Sequence, residues 1–404
     1  MFVRSALRFH VLTCHGWFEF RTWRFEKLIK GCEQSIGTDE REIMALAEKI
    51  LILDTTLREG EQAPDVRFSN EQRLRLAQEL DDFGVNFIEV SPIVSAEHRQ
   101  LVKELNGMGL NANVVAHLRA SIADIDVARQ CDAKWVALFL STSDVHLENK
   151  LKMTREKALG LVEETIAYAK THGLKVRFTC EDAGRTGTDY LHDVCRAAER
   201  AGVDRISVPD TVGMMTPARM GEMIRGVRGA TKVPLDMHCH NDLGMALANA
   251  LAGLEAGASC VHTTINGAGE RCGIVSLAEA VMALKVLYGA EMDVRSEKLV
   301  QLSQMFSAFT GIATDEFKPV VGENAFRHKG GTHLAAMLNS TKSYEGFSPE
   351  SVGNKRRMVL GEYSGKNVVK FLSETLGMEM DEAGVQRAMK RLKEKKGDLF
   401  EFEA

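Results

Sequence analysis

The chain of 404 residues contains no apolar run approaching the roughly eighteen residues of a membrane-spanning helix, so a membrane partner is not expected. It has no Cys-x-x-Cys pair either. Its eight cysteines, at 14, 32, 131, 180, 195, 239, 260 and 272, are scattered through apolar segments and read as reduced thiols, which points to a cytoplasmic setting. A formal charge of −5 with interspersed signs leaves no basic face, and no nucleic-acid partner is expected. Internal repeats beyond an alternation of short and long segments, and low-complexity tracts, are absent as well. What is present is 45% hydrophobic content, enough to bury one barrel-sized domain and a smaller one.

Residues 1–49 differ in composition from the rest of the chain. Arg4, Arg8, Trp17, Phe18, Phe20, Arg21, Trp23, Arg24 and Phe25 come with few acids, a composition that weakly resembles a targeting segment. A translation start placed too far upstream, with Met44 as the true beginning, and a short helical extension are the other readings.

From residue 50 onward, short β-branched runs alternate with amphipathic segments. Strands are expected at Ile50 to Thr56, Phe87 to Ser91, Asn113 to His117, Trp135 to Leu140, Lys175 to Glu181, Arg205 to Asp210, Leu235 to His240 and Cys260 to Gly267. Segments such as Asn70 to Phe83 and Thr154 to His172 carry the helical period. Eight βα units in about 240 residues predict a TIM (β/α)8 barrel over 50–290. A doubly wound open sheet is the alternative, but no Gly-x-Gly-x-x-Gly comes after the first strand. Residues 291–404 read as a helical linker and C-terminal subdomain, with helices over Lys298 to Thr310, Val352 to Leu376 and Met380 to Glu394 and a charged, solvated end.

In such a barrel, chemistry gathers where the strands end. Those ends carry Asp54, Arg58, Glu59, Glu89, His117, Arg177, Thr179, Glu181, Asp210, Thr211, His238, His240, Asn266, Glu270 and Arg271, whereas the strand interiors are Ile, Val, Leu and Phe. His238 and His240 stand at i and i+2 on one strand, so both imidazoles project from the same face and suit one divalent ion. Two histidines hydrogen-bonded in a polar loop is the bland alternative. Cys239, between them, faces away.

Six motifs occur in order: Asp54-Thr-Thr-Leu-Arg-Glu-Gly-Glu-Gln62, Cys180-Glu-Asp-Ala-Gly-Arg-Thr186, Pro209-Asp-Thr-Val-Gly213, His238-Cys-His-Asn-Asp242, Asn266-Gly-Ala-Gly-Glu-Arg271 and Gly361-Glu-Tyr-Ser-Gly365. With them, residues 50 to about 375 resemble the acetyl-CoA-dependent 2-oxo acid condensing enzymes, the homocitrate, 2-isopropylmalate and citramalate synthases. The resemblance implies an acyltransferase in which Glu59, His238 and His240 hold Mg²⁺, Mn²⁺ or Zn²⁺, with Asn266 a possible further ligand. It implies Arg58 as electrostatic stabiliser of the forming alkoxide, and His333, assisted by Glu181 and Tyr344, as the base acting on acetyl-CoA across a homodimer interface. Gln62, Glu89, His117, Arg177, Thr179 and Thr211 are then substrate-binding. His117, Arg177 and Thr179 match positions that hold a distal carboxylate, which favours 2-oxoglutarate and a place in lysine-type amino-acid biosynthesis. A 2-isopropylmalate synthase acting on 2-oxoisovalerate, a citramalate or Re-citrate synthase, and an acyl-CoA lyase of the same superfamily are the alternatives. The extra domain through which 2-isopropylmalate synthases bind leucine is missing from the sequence, so leucine feedback by that route is not expected.

Overall fold

A computed structural model describes residues 46–47, 49–375, 378, 380–394 and 400–403, together with two short strands, Leu12–Thr13 and Gly16–Trp17, that pair antiparallel. The other expectations for residues 1–45, and those for 395–399 and 404, lie outside the described residues. No described helix is long and apolar enough to cross a membrane.

Eight parallel strands close into a barrel in chain order: β1 (Leu51–Asp54), β2 (Phe87–Val90), β3 (Asn113–Arg119), β4 (Trp135–Ser141), β5 (Lys175–Glu181), β6 (Arg205–Asp210), β7 (Leu235–Cys239) and β8 (Cys260–Thr263). The helices between and after them are α1 (Asn70–Phe83), α2 (Ala96–Gly107), α3 (Ile122–Gln130), α4 (Arg155–Thr171), α5 (Thr188–Arg200), α6 (Pro217–Ala230), α7 (Ala246–Glu255) and α8 (Leu277–Leu287). Several begin where a hydroxyl satisfies an otherwise unpaired amide. Ser69 and Gln72 form a reciprocal capping box at α1, and Ser95, Thr154 and Thr216 cap α2, α4 and α6.

Strand alternation sorts the barrel into two populations. Outward-facing residues such as Ile52, Ile88, Leu138, Phe178, Ile206 and Met237 are sealed under the helices in the main core. At the bottom of the interior, Leu53, Phe87, Val115, Ala137 and Cys260 make a separate apolar plug, with Phe87 and Trp135 edge to face at 5.4 Å. Further up, the inward positions are mostly polar, with Phe139 an apolar exception.

After the barrel, α9 (Leu299–Thr310) leads to β9 (Arg327–His328), α10 (Gly331–Met337), β10 (Arg357–Leu360), α11 (Lys366–Thr375), α12 (Glu382–Glu394) and β11 (Phe400–Glu403). This region is largely helical, but the expected helix over Val352 to Leu376 is instead a strand, a turn and a helix. Gly361 to Gly365 breaks the pattern, with Ser364 Oγ accepting from the Gly361 amide at 3.0 Å. The end is not simply solvated: β10 pairs in parallel with β9 and antiparallel with β11. Leu334, Met337, Met358, Leu360 and Val368 form its own small core. Gly331 is required where α10 meets the turn before α11, because a Cβ there would stand 2.4 Å from the Tyr363 carbonyl oxygen.

Candidate active site

The polar layer opens into a cavity of about 270 Å³ at the strand C-terminal ends. Its lining includes Arg58, Glu59, Gln62, His117, Arg177, Thr179, Glu181, Thr211, His238 and His240, ten of the thirteen residues selected from the sequence. Glu89 lies just beneath, fully buried.

Glu59, His238 and His240 are all buried, and their ligand atoms lie within 4.8 Å of one another. The two Nε2 atoms face each other at 3.4 Å. Two nitrogens each about 2.1 Å from one ion at a tetrahedral angle stand about 3.4 Å apart, so this spacing fits a shared cation. Burial and the neighbouring imidazole push His238 well below the ordinary histidine value, and burial lowers His240. Both rings are therefore neutral near pH 7, with lone pairs to offer. Glu59 is steadied by the Glu270 amide, which donates to Oε1 at 3.0 Å, and by Arg58. Donor type, spacing and protonation thus fit a divalent metal, without choosing among Mg²⁺, Mn²⁺ and Zn²⁺. Asn266 does not join them: at φ 57° it donates its amide to Thr314 Oγ1 at 3.2 Å, and it is not among the residues lining the cavity.

A chain of charges runs beneath. Arg58 Nε donates to Glu89 Oε1 at 2.6 Å, Arg177 pairs with the other Glu89 oxygen, and Arg177 Nη1 stands 3.3 Å from His262 Nε2. Burial alone would raise the Glu89 pKa, but Arg177 and Arg58 outweigh it and hold the carboxyl well below its usual range. Asp236 receives Arg205 Nε at 2.7 Å and stands 3.2 Å from His262. Asp236, Cys260 and His262 form a second group of ligand-type side chains. Guanidinium groups already touch its carboxylate and its imidazole, and burial keeps the Cys260 thiol protonated, so this group is an ion-pair network.

Arg177 is only 3% exposed, and its charge is matched by Glu89; it is not the free cation expected for a distal carboxylate. What it keeps is Nε, buried without a partner, as are Thr179 Oγ1 and Ser207 Oγ. Thr179 and Ser207 are register partners on β5 and β6, and all three residues line the cavity. His117 stacks on Phe139 at 4.8 Å, its pKa lowered to about 3 by burial and then by the Arg58 cation.

At the rim, Glu181 accepts Lys150 Nζ at 2.7 and 2.8 Å and a Ser141 hydroxyl. Thr211 Oγ1 accepts the Asp182 amide at 2.9 Å. Arg271 grips Asp242 with two bonds, at 2.7 and 2.9 Å, and the Thr211 carbonyl at 2.8 Å. Gly213 makes that closure possible: at φ 63°, its missing Cβ would lie 2.5 Å from an Asp242 oxygen.

His333 and Tyr344 stack on each other, centroids 3.9 Å apart, and both are exposed. Among the described residues lining the cavity, neither occurs. The fold therefore unites His333 with Tyr344, and Glu181 with Lys150, as two separate pairs. His328 is tied to Glu345 at 3.3 Å. Sequence reasoning missed Ser207, Asp236, His262 and Lys150. The first three are signalled by alternation: stepping back by twos from Thr211, His238 and Asn266 reaches Ser207, Asp236 and His262.

Residues 49–306 match the HMGL-like family, and residues 320–398 match the homocitrate synthase post-HMGL domain-like family. The chain is 44% identical over 351 residues to homocitrate synthase AksA of Methanopyrus kandleri, covering 87% of this chain and 88% of that one. It is 45% identical over 350 residues to a probable 2-isopropylmalate synthase of the same organism, covering 86% and 70%. Among solved structures, hydroxymethylglutaryl-CoA lyase from Pseudomonas aeruginosa superposes with a TM-score of 0.60 at 21% identity, over 67% of this chain and 95% of that one, a likeness of fold alone.

Proposed function

Since the chain belongs to the HMGL-like family and is an acyltransferase of the group that condenses acetyl-CoA with a 2-oxo acid, we propose that its own substrate is a 2-oxo diacid, 2-oxoglutarate, and its product homocitrate. One observation carries this choice. Arg177 Nε, Thr179 Oγ1 and Ser207 Oγ are three buried, unpartnered groups able to donate into one cavity. A buried donor left unmatched costs about 1–3 kcal/mol, so a branched aliphatic tail would leave the cavity wall unsatisfied while a distal carboxylate would satisfy it.

A divalent ion held by Glu59, His238 and His240 supplies Lewis acidity toward the keto group when bound. Arg58, reaching both Glu59 and Glu89, supports the oxygen on which negative charge develops. A base must take a proton from the acetyl methyl; the enolised carbon then adds to the ketone, and water hydrolyses the thioester to release CoA. His333 suits the base role, with Tyr344 stacked on its ring. Because that pair stands apart from the Glu181 rim, we assign its delivery to a second copy of the chain in a homodimer. Lys150 holds the Glu181 carboxylate at the mouth. We place the enzyme in lysine-type biosynthesis and in the cytoplasm, the compartment that the free cysteines among the described residues favour.

The test is a thiol-release assay with acetyl-CoA against 2-oxoglutarate, 2-oxoisovalerate, pyruvate and oxaloacetate. The reading expects the highest kcat/KM for 2-oxoglutarate; a preference for 2-oxoisovalerate overturns it.

A further inference from the structure

The inward face of β7 carries Asp236, His238 and His240 in succession, and the register of β8 sets His262 level with His238. His262 is 1% exposed and has three close polar neighbours. Its Nδ1 stands 3.3 Å from His238 Nδ1, and its Nε2 stands 3.2 Å from Asp236 Oδ2 and 3.3 Å from Arg177 Nη1.

The proton positions are assigned from which groups can only donate or only accept. A guanidinium donates and a carboxylate accepts. Arg177 pairs with Glu89 through Nη2, so its Nη1 and Asp236 Oδ2 both face His262 Nε2. Arg205 occupies the other Asp236 oxygen, and among the described residues His262 is the side chain placed to donate to Oδ2, at 3.2 Å against 3.3 Å for Nη1. The imidazole therefore carries its hydrogen on Nε2, directed at Asp236. With a guanidinium beside that nitrogen, a second ring proton is disfavoured, and Nδ1 is left as a lone pair. That lone pair can only accept, and the group facing it is His238 Nδ1. His238 is then protonated on Nδ1, and its Nε2, facing His240 Nε2, is a lone pair as well.

We propose that His262, set by Asp236, is a positioning residue that locks His238 in the tautomer whose Nε2 can bind a metal ion. The proposal rests on the metal-binding reading of Glu59, His238 and His240. It makes Asp236 and His262 a relay that touches no substrate and acts only through His238, as outer partners of ligating histidines do.

The test measures the dissociation constant of Zn²⁺ for the stripped full-length protein, by competition with a chromophoric chelator, alongside the thermal midpoint of the stripped form. His262→Leu removes the acceptor and is expected to weaken Zn²⁺ binding about 10–100-fold. Asp236→Asn keeps the shape but offers an amide hydrogen to His262, reversing the relay, and is expected to weaken binding to a similar degree. His262→Asn, whose side-chain oxygen can still accept from His238, is expected to stay within about threefold of the wild type. Equal losses in His262→Asn and His262→Leu, or wild-type affinity in Asp236→Asn, overturn the relay and leave the metal site standing. A lowered thermal midpoint with unchanged affinity in the variants marks a purely structural role and also overturns it. If the wild type itself binds no Zn²⁺, the metal reading and the relay fall together.

Discussion

The two ends of the barrel interior are built by the same strands with opposite materials. At the bottom, Leu53, Phe87, Val115, Ala137 and Cys260 fill the space with carbon and sulfur. Two residues further along their strands Phe87 gives way to Glu89, Val115 to His117 and Cys260 to His262, and with His238 on β7 they bring charge and imidazole into a nearly dry interior. The bottom is stabilising by ordinary burial, about 25 cal/mol per Å² of apolar area. The top is a buried set of ions whose desolvation is costly and whose mutual attraction offsets that cost only while every partner stays in place. One end therefore holds the fold, and the other spends some of that stability on arranging chemistry.

Substitutions at the two ends should separate cleanly. Glu59→Ala is expected to lower kcat/KM by more than about 10³-fold with only a small fall in the thermal midpoint of the stripped protein, since the residue is a proposed metal ligand and Arg58 keeps Glu89 as a partner when it is removed. Unchanged thiol release in that variant removes the carboxylate from the mechanism. At the opposite end, Phe87→Ala is expected to cost about 3–5 kcal/mol in denaturant unfolding, with kcat per folded molecule preserved. A loss of kcat without a loss of stability erases the division between the ends.

A third prediction concerns the strand end where the two regimes meet. Asp54 is fully buried, and burial raises its pKa to about 7 against hydrogen bonds from Thr56. The folded chain thus keeps a proton that the unfolded chain releases near pH 4. Stability from this group is full below about pH 4, declines as pH rises, and reaches its lowest level above about pH 7, a total change of about 4 kcal/mol. In Asp54→Asn this decline should vanish, so the variant gains on the wild type between about pH 5 and pH 8 in thermal melts. Parallel pH profiles for the two proteins contradict the assignment. Smallest of all, Thr179→Val should raise KM for 2-oxoglutarate about tenfold with little change in kcat and none in KM for acetyl-CoA. If both KM values rise together, Thr179 does not read the distal group.

The strands were legible because their outward faces are unbroken Val, Ile, Leu and Phe under helices, a pattern that local sequence carries in full. The grouping of His238 with His240 was legible for a similar reason, since the two share one strand face. Arg177 was visible as a cation near the cavity but not as a partner of Glu89, because that pairing joins residues 88 apart across the barrel. His262 and Asp236 looked like interruptions in apolar runs, and only closure of β7 against β8 gives them a shared purpose. The strand over Arg357–Leu360 was masked by the amphipathic helix that comes after it, and its pairing to β9 and β11 lies in no local pattern. His333 and Glu181 belong to separate pairs in one chain, and their proposed meeting across a homodimer is something that no spacing in one chain encodes.

The central claim is that Glu59, His238 and His240 hold an ion on which condensation depends. Initial rates of thiol release from acetyl-CoA with 2-oxoglutarate, measured on chelator-stripped protein and again after stepwise return of Mg²⁺, Mn²⁺ or Zn²⁺, address it directly. The account predicts a rate indistinguishable from background in the stripped protein and its recovery with stoichiometric metal; an undiminished rate after stripping would contradict it.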